Sequence, residues 1–457
     1  MSKFDYSKDE RDINRVIKYQ EDYLKNIQVP PASHMDSCIM ESEKVLKELN
    51  ISVDKNGRCC SNVIKKPAAS IPSWDDLCNE SKTSIKSEVE LEDLFSVDEL
   101  KENQEIIARL NKEYNAIHRL DQFDILIASA AGLAGALVDI LLVGIPKKTY
   151  SGLKGGPLSN YVRDWFDRKF PEEEMQKLAN SKMSKVPYDA QDNRNTKIWV
   201  EGLSSFYHRL LSLGHDPILG FVVGVLDILQ GAMTTIDKNG NFVIQVMENY
   251  SNRKECEFFL ALSKQLAHFK SDVTTAMGLP VPFMSLFNFL QFGKIGEYEQ
   301  TIAEIVQGMY YEGYDFIHFC SMSIPVMISE VFVRVLYALK RIREGFSIKE
   351  SIPFSTNHAK HPKLGTMLFM AHSVATTINA GKVFFTKNPM AINYPQWLVF
   401  FKYLYQQLKW GLLVKPELRH QYVMEKIDEE FKSLYAEIDK MYESTGRTVS
   451  YPFLGLV

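Results

Sequence analysis

The 457-residue chain predicts a mainly α fold: a large helical domain with apolar, partly glycine-rich helices and one small β-hairpin. Three observations carry this. Apolar blocks with helical spacing recur at 125–145, 217–233, 316–339, 364–385 and 395–414. Gly and Pro punctuate the gaps between them. Strand signal is thin and gathers at "TTIDKNGNFVIQV" (234–246), where Asn-Gly sits between β-branched or aromatic runs.

The first 97 residues are polar and broken by "VPPAS", "DKNG", "KKPAAS" and "IPSWDD", a density of turn formers that suits short helices and loose connections. "SVDELKENQEIIARLNKEYNAIHRL" then reads as a long surface helix, with Ser96 or Asp98 as its cap. A helical core domain is expected over 98–414, followed by an amphipathic helix and tail over 415–457, where charges pair at i,i+4 spacing. No repeat of solenoid period interrupts this plan.

The block from Phe123, "FDILIASAAGLAGALVDILLVGIP", carries a single charge between Ile125 and Pro146, Asp139. Its length approaches the ~20 apolar residues that span a bilayer, and Gly132 and Gly135 form a small-residue face for close helix contact. The other blocks hold Asp227, Glu330, Arg334, His372 and Lys382 in mid-span. Charges at mid-bilayer are costly, whereas a helical core buries them in pairs. Core helices are therefore the first reading, and membrane insertion stays open beside it. The hairpin also mimics a calcium loop through Asp237, Asn239, Asn241 and Glu248, but Phe242 stands where that loop needs glycine, so hairpin is preferred.

Net charge is −4, with 45% hydrophobic and 24% charged residues, so there is no global attraction to nucleic acid. Cysteines at 38, 59, 60, 78, 256 and 320 offer no zinc-finger spacing. No secretory signal is visible in "MSKFDYSKDERD", and mean hydropathy is −0.18. A cytoplasmic location with partial membrane association is expected.

Candidate chemistry lies in "FYHRLLSLGHDPILGF" (206–221). Asp216-Pro217 is what a helix start looks like, carboxylate at the cap and proline in the first turn. Capping leaves His208, Arg209 and His215 unexplained. The two histidines stand seven apart and would share a face if the helix ran on for two turns. Downstream, His268 and Asp272 are spaced i,i+4, so imidazole and carboxylate lie over one another, as a metal chelate or as a surface hydrogen bond. Asp139 is the third element: a lone carboxylate in an apolar run needs a cation, whether a metal, a histidinium or an arginine such as Arg209 or Arg334.

The remaining clusters are weaker. His358, His361 and His372 have no carboxylate within a turn. Asp315, His318, Ser321 and Ser323 allow a triad to be drawn, but no nucleophile elbow accompanies them. "YSGLKGGPLSN" lacks the lysine and hydroxyl of a phosphate loop and reads as a plain loop.

The order Asp139, His208-Arg209, His215, His268-x-x-x-Asp272 is similar to the membrane-bound metal-dependent hydrolase family, whose pattern is an apolar segment with an acidic residue, "HR…TH", an apolar helix and "H-x-x-x-D". More distantly it resembles zinc-dependent phospholipase C. The resemblance covers about 120–275. Where the family carries "D-x-D-H", this chain has Asp139 alone, and its His208–His215 spacing is longer. The resemblance implies a divalent metal, zinc first, held by Asp139, His208, His215, His268 and Asp272, with Arg209 and Asp216 as catalytic groups and Arg209 gripping a phosphate oxygen. It implies hydrolysis of a phosphoester, a lipid one favoured, at or near a membrane, with a lipid surface as partner. The alternatives are a non-enzymatic membrane-acting protein, such as a pore-forming toxin or defence effector, and a helical interaction protein whose polar residues are all structural.

Overall fold

In the computed structural model, residues 6–26, 32–48, 72–149, 152–275, 278–295, 299–358 and 360–444 are described. The Cys59-Cys60 pair and the turn-rich stretch around it lie outside them. Helix makes up 70% of the structure, and the strands form two small two-stranded sheets. Two compact units divide at Lys112/Glu113, inside a helix.

In the first unit, α1 (Lys8–Asn26) packs on α3 (Trp74–Ser84), which Ser73 and Asp76 open with reciprocal capping bonds; α2 (Ala32–Glu48) lies between them in sequence. Ser96 and Glu99 cap α4 (Val97–His118) in the same way, so Ser96 is the cap of the two candidates.

The second unit opens with Asp121 capping α5 (Gln122–Val138), which runs on through one wide turn at 139–143 to Gly144. Its neighbours are α12 (Phe316–Arg343) and α14 (Leu364–Thr386), with α15 (Tyr394–Lys409) closing the bundle. Ile127, Ala128 and Ala131 bury against Val333, Leu368, Ala371 and Tyr403. Lys340, late in α12, and Lys363, just before α14, both pair with Asp121 and Asp124 at the start of α5. Hence α5 and α14 run parallel, and α12 runs against both.

The small-residue face does what its chemistry allows. A Cβ on Gly132 would stand 2.3 Å from the Ala371 carbonyl oxygen, and one on Gly135 would stand 2.1 Å from Ser329 Oγ. Ser329 Oγ in turn donates to the Ala131 carbonyl at 3.1 Å. Since backbone blocks Gly132, Gly132→Val is expected to destabilise this unit by about 3 kcal/mol. Chemical denaturation checks it, and a midpoint equal to wild type would contradict the packing described.

Each of the polar residues named in mid-span has a partner. Lys382 Nζ donates to Asp139 at 2.9 Å. Arg334 lies 3.5 Å from Glu330, which also accepts from Tyr403 at 2.6 Å. Gln396 bonds the His372 ring, and Asp227 accepts from Thr234 N and Oγ1.

Between α5 and α12 the chain builds a second layer. β1 (Lys147–Thr149) and β2 (Gly152–Lys154) pair antiparallel, so the stretch expected to be a plain loop is a minor hairpin that turns through Gly155-Gly156 into α6 (Pro157–Lys169). α7 (Glu172–Ala179), a largely irregular stretch over 180–207, α8 (His208–Leu211) and α9 (Val223–Gln230) follow. The expected hairpin is β3 (Ala232–Ile236) with β4 (Phe242–Val246), and Ala232 faces Val246. Asp237 accepts the N–H groups of Asn239 and Asn241 and the Asn241 amide, so its oxygens hold the turn. Val186, Tyr188, Leu211, Val225, Met233 and Ala261 form the core beneath it. α10 (Phe258–Asp272) and α11 (Ile302–Tyr311) complete the layer. The short α13 (Ile348–Ser351) precedes α14, and α16 (Lys415–Ser444), expected as a separate C-terminal element, continues α15 through one wide turn at 410–414.

Candidate metal centre

The helix carrying His208 does not run on for two turns. After one turn the backbone becomes extended at Ser212, which bridges to Thr235 of β3, and a 3₁₀ turn at 213–215 then swings His215 back. The two rings meet edge to face, 5.4 Å apart. α10 brings His268 within 5.0 Å of the His215 ring and sets Asp272 one turn further on. A fifth donor, Asp189, enters from the irregular 180–207 stretch.

The polar atoms form a chain. His208 Nε2 lies 3.4 Å from Asp189 Oδ1, and His215 Nε2 lies 3.7 Å from that oxygen and 3.9 Å from Asp272 Oδ2; His268 Nε2 lies 3.6 Å from Asp272 Oδ2. Two groups of three donors thus share His215: Asp189 with His208, and His268 with Asp272. Each group lies within 4.8 Å internally. His208 Nδ1 faces the Ser205 carbonyl at 3.0 Å and donates to it, which leaves Nε2 with a lone pair toward the centre. The Nε2 atoms of all three histidines are buried without a hydrogen-bond partner. Lone pairs and carboxylate oxygens this close, yet too far apart to bond, suit an intervening cation. Donors around a tetrahedral ion with bonds of about 2.1 Å stand ~3.4 Å apart.

Neighbouring groups hold the rings in place. Tyr188 packs edge-on against His215 and His268, and its hydroxyl donates to Gln265 Oε1 at 2.5 Å. Gln265 Nε2 donates to the Gly214 carbonyl. Gly214 is required here: a Cβ would fall 2.7 Å from the Tyr188 ring. Arg209 Nε donates to Asp272 Oδ2 at 2.7 Å. Burial pushes the Asp272 carboxyl up, but His268 and Arg209 outweigh it and hold it below the usual range. Burial likewise opposes ionisation of Asp189, and His208 and His215 overcome it, holding that carboxyl well down. Asp189 is the accessible member, with a quarter of its side chain exposed.

His215 is buried in full, and desolvation lowers it to about 3, against the pull of Asp189. It stays neutral, as a ligand must be. An imidazole with a depressed folded pKa makes stability fall with pH, because the unfolded chain takes up a proton near pH 6.5 that the folded one refuses. Without metal, this one group should cost up to ~1.4 kcal/mol per pH unit from about pH 6.5 down toward 3. Melting curves in chelator would check this, and a midpoint unchanged down to about pH 4 would contradict it.

Two expected donors do not join. Asp139 is bound in the helix bundle by Lys382, Asn379 and Asn393, so its cation is a lysine rather than a metal or either arginine considered. Asp216 accepts the Ile218 and Leu219 N–H groups at 2.9 Å and caps the next turn; that helical turn is 3₁₀, and α9 begins only at Val223. Arg209 grips Asp272. Sequence reasoning missed Asp189, because the segment holding it has no periodicity, and missed Tyr188 and Gln265, which look like ordinary core.

The other clusters have structural occupations. Asp315 caps α12 and takes a two-pronged bond from Arg163. His358 stacks on Trp410 with centroids 3.7 Å apart. No family model, curated protein or solved structure matches this chain.

Proposed function

We propose that the protein is a metal-dependent hydrolase of phosphoesters, lipid phosphoesters above others, working at a membrane. One observation carries the reading: three buried, unpartnered imidazole Nε2 atoms gathered with two carboxylates held in their charged form. Three imidazoles and two carboxylates suit zinc or a similar divalent ion. Such an ion lowers the pKa of a bound water toward ~7 and draws charge from a phosphoryl oxygen. The overall step is hydrolysis: a water oxygen bonds phosphorus, the ester P–O bond breaks, and the leaving alkoxide takes up a proton. Asp189 with His208 and His268 with Asp272 supply the two flanks of the site, His215 stands between them, and Asp189 is its open edge. Arg209 is a positioning residue, since its Nε fixes the oxygen of Asp272 that faces His215 and His268.

Support for the membrane comes from the bundle. Among the described residues, two helical stretches, Val97–Val143 and Phe316–Arg343, are long and apolar enough to cross a bilayer, and only 39% and 44% of their most apolar windows is buried. A core helix hides most of such a window. Met327, Val331, Val335 and Leu339 form one outward stripe on α12, and Leu126, Leu133, Leu137 and Leu141 are exposed on α5. From 122 to 143 the helix is ~33 Å long, near the ~30 Å hydrocarbon thickness.

Those outward faces also favour a second reading, a non-enzymatic membrane-acting protein. Elemental analysis and assay of the same purified protein separate the two. Bound zinc with release of phosphate or a phosphorylated headgroup from phospholipid vesicles supports the hydrolase. Metal-free protein that makes dye-loaded vesicles leak, with no lipid cleaved, supports the alternative.

A further inference from the structure

A cavity of about 770 Å³ lies between the ends of α14 and α15 and the layer that carries the histidines. Its walls include Val281, Met284, Val306, Ala380 and Trp397, and they are apolar or aromatic throughout. Two of the polar atoms in the wall are consumed. Tyr314 donates its hydroxyl proton to the Ile392 carbonyl, and Trp397 Nε1 donates to Asn379. A polar ligand would find few hydrogen bonds there, so most of its desolvation would go uncompensated.

Both ends of the cavity point to the same occupant. At the outer end, Phe384 of α14 and Phe401 of α15 line it while remaining 76% and 54% exposed. At the inner end, Val281, Met284 and Met309 share one core with Leu210, which belongs to the single turn that carries His208 and Arg209. Met309 is followed by Tyr310, which feels the charges of Arg209 and Asp272. Tyr394 in the wall feels Asp216, the residue after His215. An apolar cavity with exposed phenylalanines at one end and, at the other, packing shared with the turn that carries His208 suits a molecule with a long hydrocarbon tail and a polar head.

We infer that this cavity binds a single acyl or alkyl chain of the substrate lipid, inserted from the bilayer side. For the position of the headgroup, this rests on the hydrolase reading. The chain gains ~0.8 kcal/mol per buried CH₂, so affinity should climb with chain length until the cavity is full.

The test uses the full-length protein and a fluorescent long-chain fatty acid as probe. Ala380→Trp and Val306→Trp fill the cavity from opposite walls, and His268→Ala leaves it open. Probe affinity is expected to fall at least about tenfold in both filled variants, since several CH₂ groups lose their place, and to hold in His268→Ala. The filled variants should keep wild-type metal content, which also shows that they fold. Probe that fails to bind wild type, or binds both folded, filled variants equally well, overturns the inference. Wild-type protein that binds the probe but never takes up metal leaves the chain site standing and removes the hydrolase reading instead.

Discussion

His215→Ala is expected to weaken cation binding by more than ~100-fold, because loss of a residue that merely orients a ligand already costs about 10–100-fold. His215 Nε2 is the one nitrogen common to both donor groups, so no set of three donors survives its removal. Nor does a substitute stand by, since Asp216 belongs to neither donor group and Arg209 is itself a cation. Competition with a chromophoric zinc chelator would measure the loss, with circular dichroism to verify folding. A folded variant whose affinity stays within about threefold of wild type would sink the proposed centre.

Lys382→Met should cost about 3–5 kcal/mol, since it leaves the Asp139 carboxylate buried without a counter-charge. Both side chains are under a tenth exposed. Asn379 and Asn393 hydrogen-bond Asp139 but carry no charge to offset its own. The double change Lys382→Met with Asp139→Asn should regain most of the loss, because the charge to be hidden has gone. Equilibrium unfolding of the two variants checks this. Neither should alter metal content, which separates a role for Asp139 in the bundle from a role at the cation.

The elements that sequence resolved well are those with a local cause. Apolar periodicity locates α5 and α12, a cap at Ser96 locates α4, and Asn-Gly between β-branched runs locates β3 and β4. The i,i+4 spacing of His268 and Asp272 is a property of one helix, and it survives folding unchanged. His208 and His215 also meet, but through a break at Ser212 rather than the continuous helix that would have joined them. Asp189 was hidden for a related reason: it is 19 residues before His208 in an irregular segment, and only tertiary packing under Tyr188 and Gln265 carries it to the site. Asp139 shows the opposite failure. A buried carboxylate announces that a cation is near, but the identity of that cation lies 243 residues away.

One nitrogen lone pair coordinates one ion at a time. Because the two triads meet at His215 Nε2, they are rival berths and not a dinuclear pair. Occupancy of the Asp189–His208 side withdraws His215 from the Asp272–His268 side, and the reverse. A first ion should therefore bind tightly and a second much more weakly, giving a titration that levels off near a single ion per chain. The same competition gives a resident ion somewhere to go: it can step between berths by trading two ligands while keeping His215, without ever being released to solvent.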